Sequence, residues 1–428
     1  PDAWLPITFF IMKRLTYITA LAVGALLAAA CHRHSDDRAE TATGFLKVDG
    51  RDIITPAGEK YYIRGTNLSN WLNPEGYMFG FSKTNSPRAI NDAFCQIIGP
   101  DATAEFWKNF KDNYITRADI DFIASCGANT VRLPFHYKLF TDEDYMGLSS
   151  AQDGFARIDT LVEWCRDANL HLILDMHDAP GGQTGDNIDD SYGYPWLMVS
   201  IESQKKFCDI WRKIAGHYKN EPVILGYELI NEPVATHFED EQDVLNTHLI
   251  EVMRKGLAAI REVDSNHIVL IGSPQWNSNF SPLEDVDFGD DNIMYTCHRY
   301  GGPATADAIR SYIDFRDRTN KPMYMGEIGH NTDQWQADFV QAMKDNDISY
   351  TFWPYKKCES SCMAGFALPE GWEEIVAFTE TSRMSYSEIR QNMPDREAAR
   401  RALNRFVENC KFENCTPQTS YIASIALK

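Results

Sequence analysis

The sequence predicts an α/β fold, a (β/α)8 barrel with extended βα-loops and a C-terminal helical tail, on three observations. From about residue 60 onward, eight short runs rich in β-branched and aromatic residues alternate with longer runs of helical periodicity, which implies parallel βαβ units. Nearly every short run ends in a polar or aromatic residue, and in such barrels the working side chains stand at the C-terminal strand ends. No glycine-rich phosphate loop follows the first run, where Arg64-Gly65-Thr66-Asn67 has a single glycine, so an open dinucleotide-binding sheet loses its support.

Taken in order, the strand candidates are 62–67, 130–135, 171–177, 223–232, 267–273, 293–298, 323–327 and 350–354. Helix candidates lie near 117–126, 157–168, 203–219, 247–263, 305–319, 334–345 and 371–380. Count and length together favour a TIM barrel. Long insertions at 68–115, 178–200 and 276–290 follow the first, third and fifth strands, the positions that build the working face of such a barrel. A helical tail is expected near 395–409. The expected organisation is a signal segment over 1–30, a polar tether over 31–44, a barrel domain over 45–410 and a tail over 411–428.

Met12-Lys13-Arg14 followed by an uncharged run from Leu15 to Ala30 has the basic and apolar regions of an export signal. Residues 1–11 precede this expected start. The apolar run is short for a membrane span, which needs about twenty residues. Ala28-x-Ala30 fits ordinary signal peptidase cleavage, whereas Leu27-Ala28-Ala29-Ala30-Cys31 resembles a bacterial lipobox in which Cys31 is lipidated. The favoured expectation is an exported cell-envelope lipoprotein, with soluble secretion as the alternative. Two close cysteine pairs, Cys358/Cys362 and Cys410/Cys415, are disulfide candidates in an oxidising compartment.

The chain has 428 residues with 61 acids against 41 bases, a formal net charge of −20. That balance argues against a nucleic-acid partner and against docking on anionic lipid; any membrane association is expected through the lipid anchor alone. A monomer is expected. With no CxxC, and no histidine at finger spacing from the close cysteine pairs, no metal or other cofactor is expected.

The strand ends in order are Asn67, Arg132, His177, Asn231-Glu232, Trp276, His298 with Tyr300, Glu327 and Trp353. Two are carboxylates, and cleavage of a glycosidic bond needs such a pair, one acid and one nucleophile or base. A lone glutamate at a strand end is more often a salt-bridge partner; the surrounding polar set, with Asn231 before Glu232 and Pro233 after it, favours chemistry here. Glu228 has the same strand parity but sits deeper and reads as structural. Asp175-x-His177 could ligate a metal, but only His298 is available as a further histidine. Trp71, Trp196 and Trp276 lie in βα-loops, as packing residues or as sugar platforms.

Tyr227-Glu228-Leu229-Ile230-Asn231-Glu232-Pro233 resembles the acid/base motif of glycoside hydrolase family 5. Asn129 to Pro134, Asp175-Met176-His177, His298-Arg299-Tyr300, Gly326-Glu327 and Phe352-Trp353 resemble the same family's other motifs in the same order, over roughly 60–380. The resemblance implies a retaining β-glycoside hydrolase with Glu327 as nucleophile and Glu232 as acid/base, and the N-terminal pattern implies its export. It further implies that Asn231 grips a sugar hydroxyl, that Arg132, His177, His298, Tyr300 and Asn67 bind or support, and that Trp353 forms the floor under the sugar. The stretches 64–72 and 177–183 are closer to the family's β-1,3-glucanase-like branch, so a β-glucan or β-glucoside is the expected partner. An endo-β-1,4-glucanase or β-mannanase is the alternative within the family, and a non-catalytic glycan-binding lipoprotein the alternative outside it.

Overall fold

The computed structural model describes residues 44–186, 188–358 and 360–428. The signal segment and Cys31 lie outside the described residues. Eight strands, β1 (Arg64–Asn67), β2 (Thr130–His136), β3 (His171–Asp178), β4 (Ile224–Glu228), β5 (Ile268–Ile271), β6 (Ile293–Arg299), β7 (Met323–Ile328) and β8 (Ser349–Phe352), form the sheet. They close into a parallel barrel in sequence order, with β8 pairing to both β7 and β1. Every strand predicted from the sequence is present. The fourth is shorter than expected: the ladder stops at Glu228, and Glu232 lies beyond it in a left-handed conformation with φ 43°.

Strand residues divide between two environments, as the pleat demands. Ile173, Leu225, Ile268, Leu270, Met294 and Tyr324 fill the barrel interior, joined by Leu46 and Ile53 from a hairpin of Lys47–Asp49 with Asp52–Ile54. Outward residues such as Val131, Leu172, Val269 and Tyr350 meet the helical ring. Higher in the interior the fill turns polar, with Asn67, Arg132, Asp175, Glu228 and Thr351 all buried. The barrel therefore trades its apolar core for ions towards the working end.

The insertion after β1 is not an open loop. It carries two helices, Pro87–Ile98 and Pro100–Asn113, each with proline in its first turn, where the missing N–H costs nothing. Their aromatic faces join Phe79 and Trp372 around the C-terminal helix Arg396–Asn409, where Phe406 is stacked by Trp372 at 4.5 Å and by Phe79 at 5.2 Å. The 411–428 segment belongs to the same compact unit: Thr416–Pro417 pairs with the strand Ala364–Phe366, and Tyr421, Ile422 and Ile425 are buried. The C-terminal region thus anchors the insertion that walls the site.

The expected disulfides are not formed. Cys358 turns its sulfur to the Met78 carbonyl (3.3 Å), and the Cys410 and Cys415 thiols donate to the carbonyls of Val407 (3.2 Å) and Lys411 (3.3 Å). Within each close pair the sulfurs are committed to different backbone carbonyls, so sequence proximity does not align them for bridging.

Candidate active site

At the C-terminal end of the barrel lies a cavity of about 390 Å³ lined by Glu75, Tyr77, His177, Ile188, Glu232, Tyr300, Glu327, His330, Trp353 and Lys357. Five of the sequence-predicted residues face it directly. Beneath it sits Arg132, fully buried, whose guanidinium organises the rest. Its Nε and Nη2 donate to the two oxygens of Glu228 (2.8 and 2.7 Å), Nη1 to Glu327 Oε1 (2.7 Å) and Asn67 Oδ1 (3.0 Å), and Nη2 to Asn231 Oδ1 (2.9 Å). Asp175 lies 3.1 Å from the same nitrogen. Glu228 is therefore the bidentate counter-ion of Arg132, a planar fork meeting a carboxylate, and its depth is what the strand parity implied.

Glu327, at the end of β7, is held by donors on both oxygens. Arg132 reaches Oε1, and the Tyr300 hydroxyl donates to Oε2 at 2.8 Å. Burial opposes its ionisation, but the nearby His298, Arg132 and His177 together with the Tyr300 hydrogen bond prevail, bringing its pKa down to about 2. Glu232 is moved the opposite way. Burial and the negative charge of Glu327 raise its pKa, against the hydrogen bond from His298. Two carboxylates in one cavity thus have opposite environments, the arrangement that separates an acid from a nucleophile. An oxygen of each lies within 4.8 Å of an oxygen of the other, so both carboxylates can act on one bond.

His298 is oriented by a residue the sequence reading missed. Its Nδ1 is 2.9 Å from Glu232 Oε1, and Nε2 is 3.3 Å from Asn277 Nδ2. Asn277 Oδ1 accepts the Ser273 N–H at 3.0 Å, so the amide presents its NH2 to the imidazole. In the neutral ring Nε2 is then the acceptor and Nδ1–H the donor to Glu232; burial disfavours the charged ring, but Glu327 and Glu232 raise the His298 pKa. Asn277 reaches this position through a run of left-handed residues, Gln275, Trp276 and Asn277, at φ 54°, 57° and 57°. Close approach is needed on both flanks. A Cβ on Gly272 would fall 2.4 Å from Asn277 Oδ1, and one on Gly326 would fall 2.5 Å from Thr296 Oγ1 and 2.9 Å from His298 Nε2.

The opposite wall combines His177 and Trp353, stacked at 5.3 Å and 7°. His177 Nδ1 is 2.7 Å from Asp175 and Nε2 is 3.2 Å from Glu75 Oε1; burial disfavours its charge, but Asp175 and Glu75 raise its pKa well above the ordinary value. The Trp353 indole N–H donates to the Tyr77 hydroxyl, which lies 3.2 Å from His330 Nε2. His330 in turn stacks on Tyr300 at 5.8 Å. Glu75 and Tyr77 come from the insertion after β1, and their only sequence signal was that this insertion follows a strand. Asn67 is buried under Arg132, with its Nδ2 donating to the Gly326 carbonyl at 3.1 Å. Trp71 is also buried, its N–H on the Lys111 carbonyl at 2.8 Å. Trp276 is half-buried and stands outside the cavity lining.

Two carboxylates with opposite environments in one cavity can divide proton donation and nucleophilic attack between them. Comparison with known proteins agrees. Residues 90–359 match the family model of cellulase, glycosyl hydrolase family 5. A β-xylosidase of Phanerodontia chrysosporium is 30% identical over 350 residues, covering 73% of this chain and 71% of that protein. Endoglucanase C of Acetivibrio thermocellus is 29% identical, covering 59% of this chain and 88% of that one. In fold, a β-glucanase of Saccharophagus degradans superposes with a TM-score of 0.51 at 18% identity, covering 86% of this chain and 94% of that one. The chain is an O-glycosyl hydrolase and belongs to glycosyl hydrolase family 5, whose members hydrolyse β-glycosides with retention.

Proposed function

We propose that this protein is an exported β-glucanase or β-glucosidase acting by double displacement through Glu327 and Glu232. The observation that carries it is the opposed environment of the two carboxylates, one held ionised by Arg132 and Tyr300, the other with its pKa raised by burial and by its neighbour's charge. Glu327 attacks the anomeric carbon while Glu232 gives its proton to the leaving oxygen. The ester that forms removes the negative charge beside Glu232, whose pKa falls, and the carboxylate then takes a proton from water as that water displaces Glu327. Asn231, with Oδ1 fixed by Arg132, directs its NH2 towards the cavity wall beside His177 Nε2 (3.3 Å) and holds the sugar hydroxyl next to the reacting carbon. Trp353 carries the ring.

A β-glucan substrate is supported by the endoglucanase and β-glucanase relatives, with β-1,4 linkage the finer alternative to β-1,3. A purely glycan-binding role is disfavoured because both glutamates are in place. Export, with Cys31 as lipid attachment site, rests on the basic and apolar N-terminal pattern; the mass of the mature N-terminus tests it, and an unmodified Cys31 removes the anchor. The function is tested by product analysis on laminarin, cello-oligosaccharides, mixed-linkage glucan and mannan with the wild type, Glu327→Gln and Glu232→Ala. Hydrolysis of a β-glucan lost in Glu327→Gln supports the proposal; full activity in both variants refutes it.

A further inference from the structure

Four residues beyond Ile188, which lines the cleavage cavity, the same βα-loop presents Tyr192 to solvent. Tyr192 is 77% exposed and has a φ of 58°. A bulky side chain in left-handed backbone is an outlier that packing normally has to support, and at this exposure packing supplies little. Its support is a cation: the Arg88 guanidinium lies 3.7 Å over the ring centroid. The loop beneath is fixed. Asp189 accepts the backbone N–H groups of Gln183, Thr184 and Ser191, and Asp190 accepts that of Arg88 at 3.0 Å, tying this loop to the insertion after β1. Beside the ring lies a polar hollow of about 440 Å³, lined by Lys83, Ser86, Arg88, Asp189, Tyr192 and His237 among others.

We propose that Tyr192, braced by Arg88, is a stacking platform for sugar units of a β-glucan chain beyond the cleavage cavity, making this loop a determinant of chain-length preference. The proposal rests on the β-glucan reading above. An exposed flat ring beside donors and acceptors of both signs suits a neutral polyhydroxylated chain, whose sugar faces are apolar and whose edges carry hydroxyls. Four residues of chain span at most about 14 Å, so the platform is within reach of a substrate seated on Trp353. Residues 189–191 are held by the hydrogen bonds above, so little of their freedom is lost on binding. Sequence reading had placed a platform among Trp71, Trp196 and Trp276; Trp71 is buried, and the most exposed aromatic ring of the loop is Tyr192.

The test compares kcat/KM on a short aryl β-glucoside or cellobioside with that on long β-gluco-oligosaccharides, for the wild type, Tyr192→Gly and Tyr192→Phe. Glycine accepts the left-handed backbone, so folding is preserved and Tm does not fall. The expected result is short-substrate activity within about twofold of wild type and a loss of about tenfold on the long chains, the scale of one lost stacking contact, with Tyr192→Phe restoring it. A loss independent of chain length, or no loss, overturns the platform alone. A wild type inactive on every β-glucan overturns the substrate reading, and the platform with it.

Discussion

Replacing Tyr300 by phenylalanine removes the hydroxyl from the site and leaves the ring that stacks on His330. The lost bond is the 2.8 Å donation to Glu327 Oε2, and Arg132 remains on the other oxygen. A hydrogen bond to a charged group contributes about 1.5–3 kcal/mol. Tyr300 is 41% exposed, so water recovers part of this, and the lower end applies. About 1.4 kcal/mol corresponds to one pKa unit, which moves Glu327 from about 2 up by about one unit. Glu327 acts as a carboxylate, so activity disappears as pH falls through its pKa; the acid limb of kcat/KM must therefore move to higher pH. The assay is initial rate against pH, with brief exposure to acid and a control for recovery at neutral pH. The variant should show its acid limb raised by about one unit. An unmoved acid limb would refute the claim that Tyr300 holds the nucleophile ionised.

Asn277→Asp turns His298 Nε2 from acceptor to donor and favours the imidazolium beside Glu232; since Glu232 must start protonated, the basic limb of kcat/KM should fall by about one unit, and an unchanged limb would show that Asn277 does not set the tautomer. Arg132→Ala leaves Glu228 buried without its bidentate counter-ion and takes one cationic partner each from Asp175 and Glu327, so denaturant unfolding should show a loss of about 3–5 kcal/mol; a loss under about 1 kcal/mol contradicts this network. Glu327 is depressed to about 2 in the folded protein and has an ordinary value of about 4.3 unfolded. Its stabilising contribution is therefore present above about pH 4.3 and lost as pH falls towards 2. Glu327→Gln should flatten the decline of Tm across that window, and an equally steep decline would rule the contribution out.

The barrel was legible because each strand is a short β-branched run closed by a polar residue, and because parallel strands buried on both faces leave that pattern unbroken. β4 was read too long for the same reason: Leu229 and Ile230 continue the apolar texture after the ladder has ended, while the chain turns to place Glu232 at the cavity. The insertion after β1 was read as loop although Ser86-Pro87 and Gly99-Pro100 carry helix-start signals; with its helices unassigned, nothing brought Glu75 or Tyr77 towards His177. Asn277 was hidden for a different reason, since a left-handed turn of glutamine, tryptophan and asparagine has no compositional mark. Glu232, Glu327 and His298 could be read because each stands at or just beyond a strand end, where geometry follows from topology; Arg132, expected at a strand end, lies inside β2, which runs on to His136. Residues that orient them depend on loop conformation, and single-sequence patterns carry little of it.

The central claim is that Glu327 forms the covalent intermediate while Glu232 transfers the proton. Its most direct test is inactivation with a fluorinated β-glucoside that forms a long-lived glycosyl-enzyme, followed by peptide mapping of the modified carboxylate. The account predicts one sugar per chain, on Glu327, and protection by a competing β-glucan fragment. Label on Glu232 or Glu75, or hydrolysis that releases the α-anomer first with no covalent adduct, would contradict it.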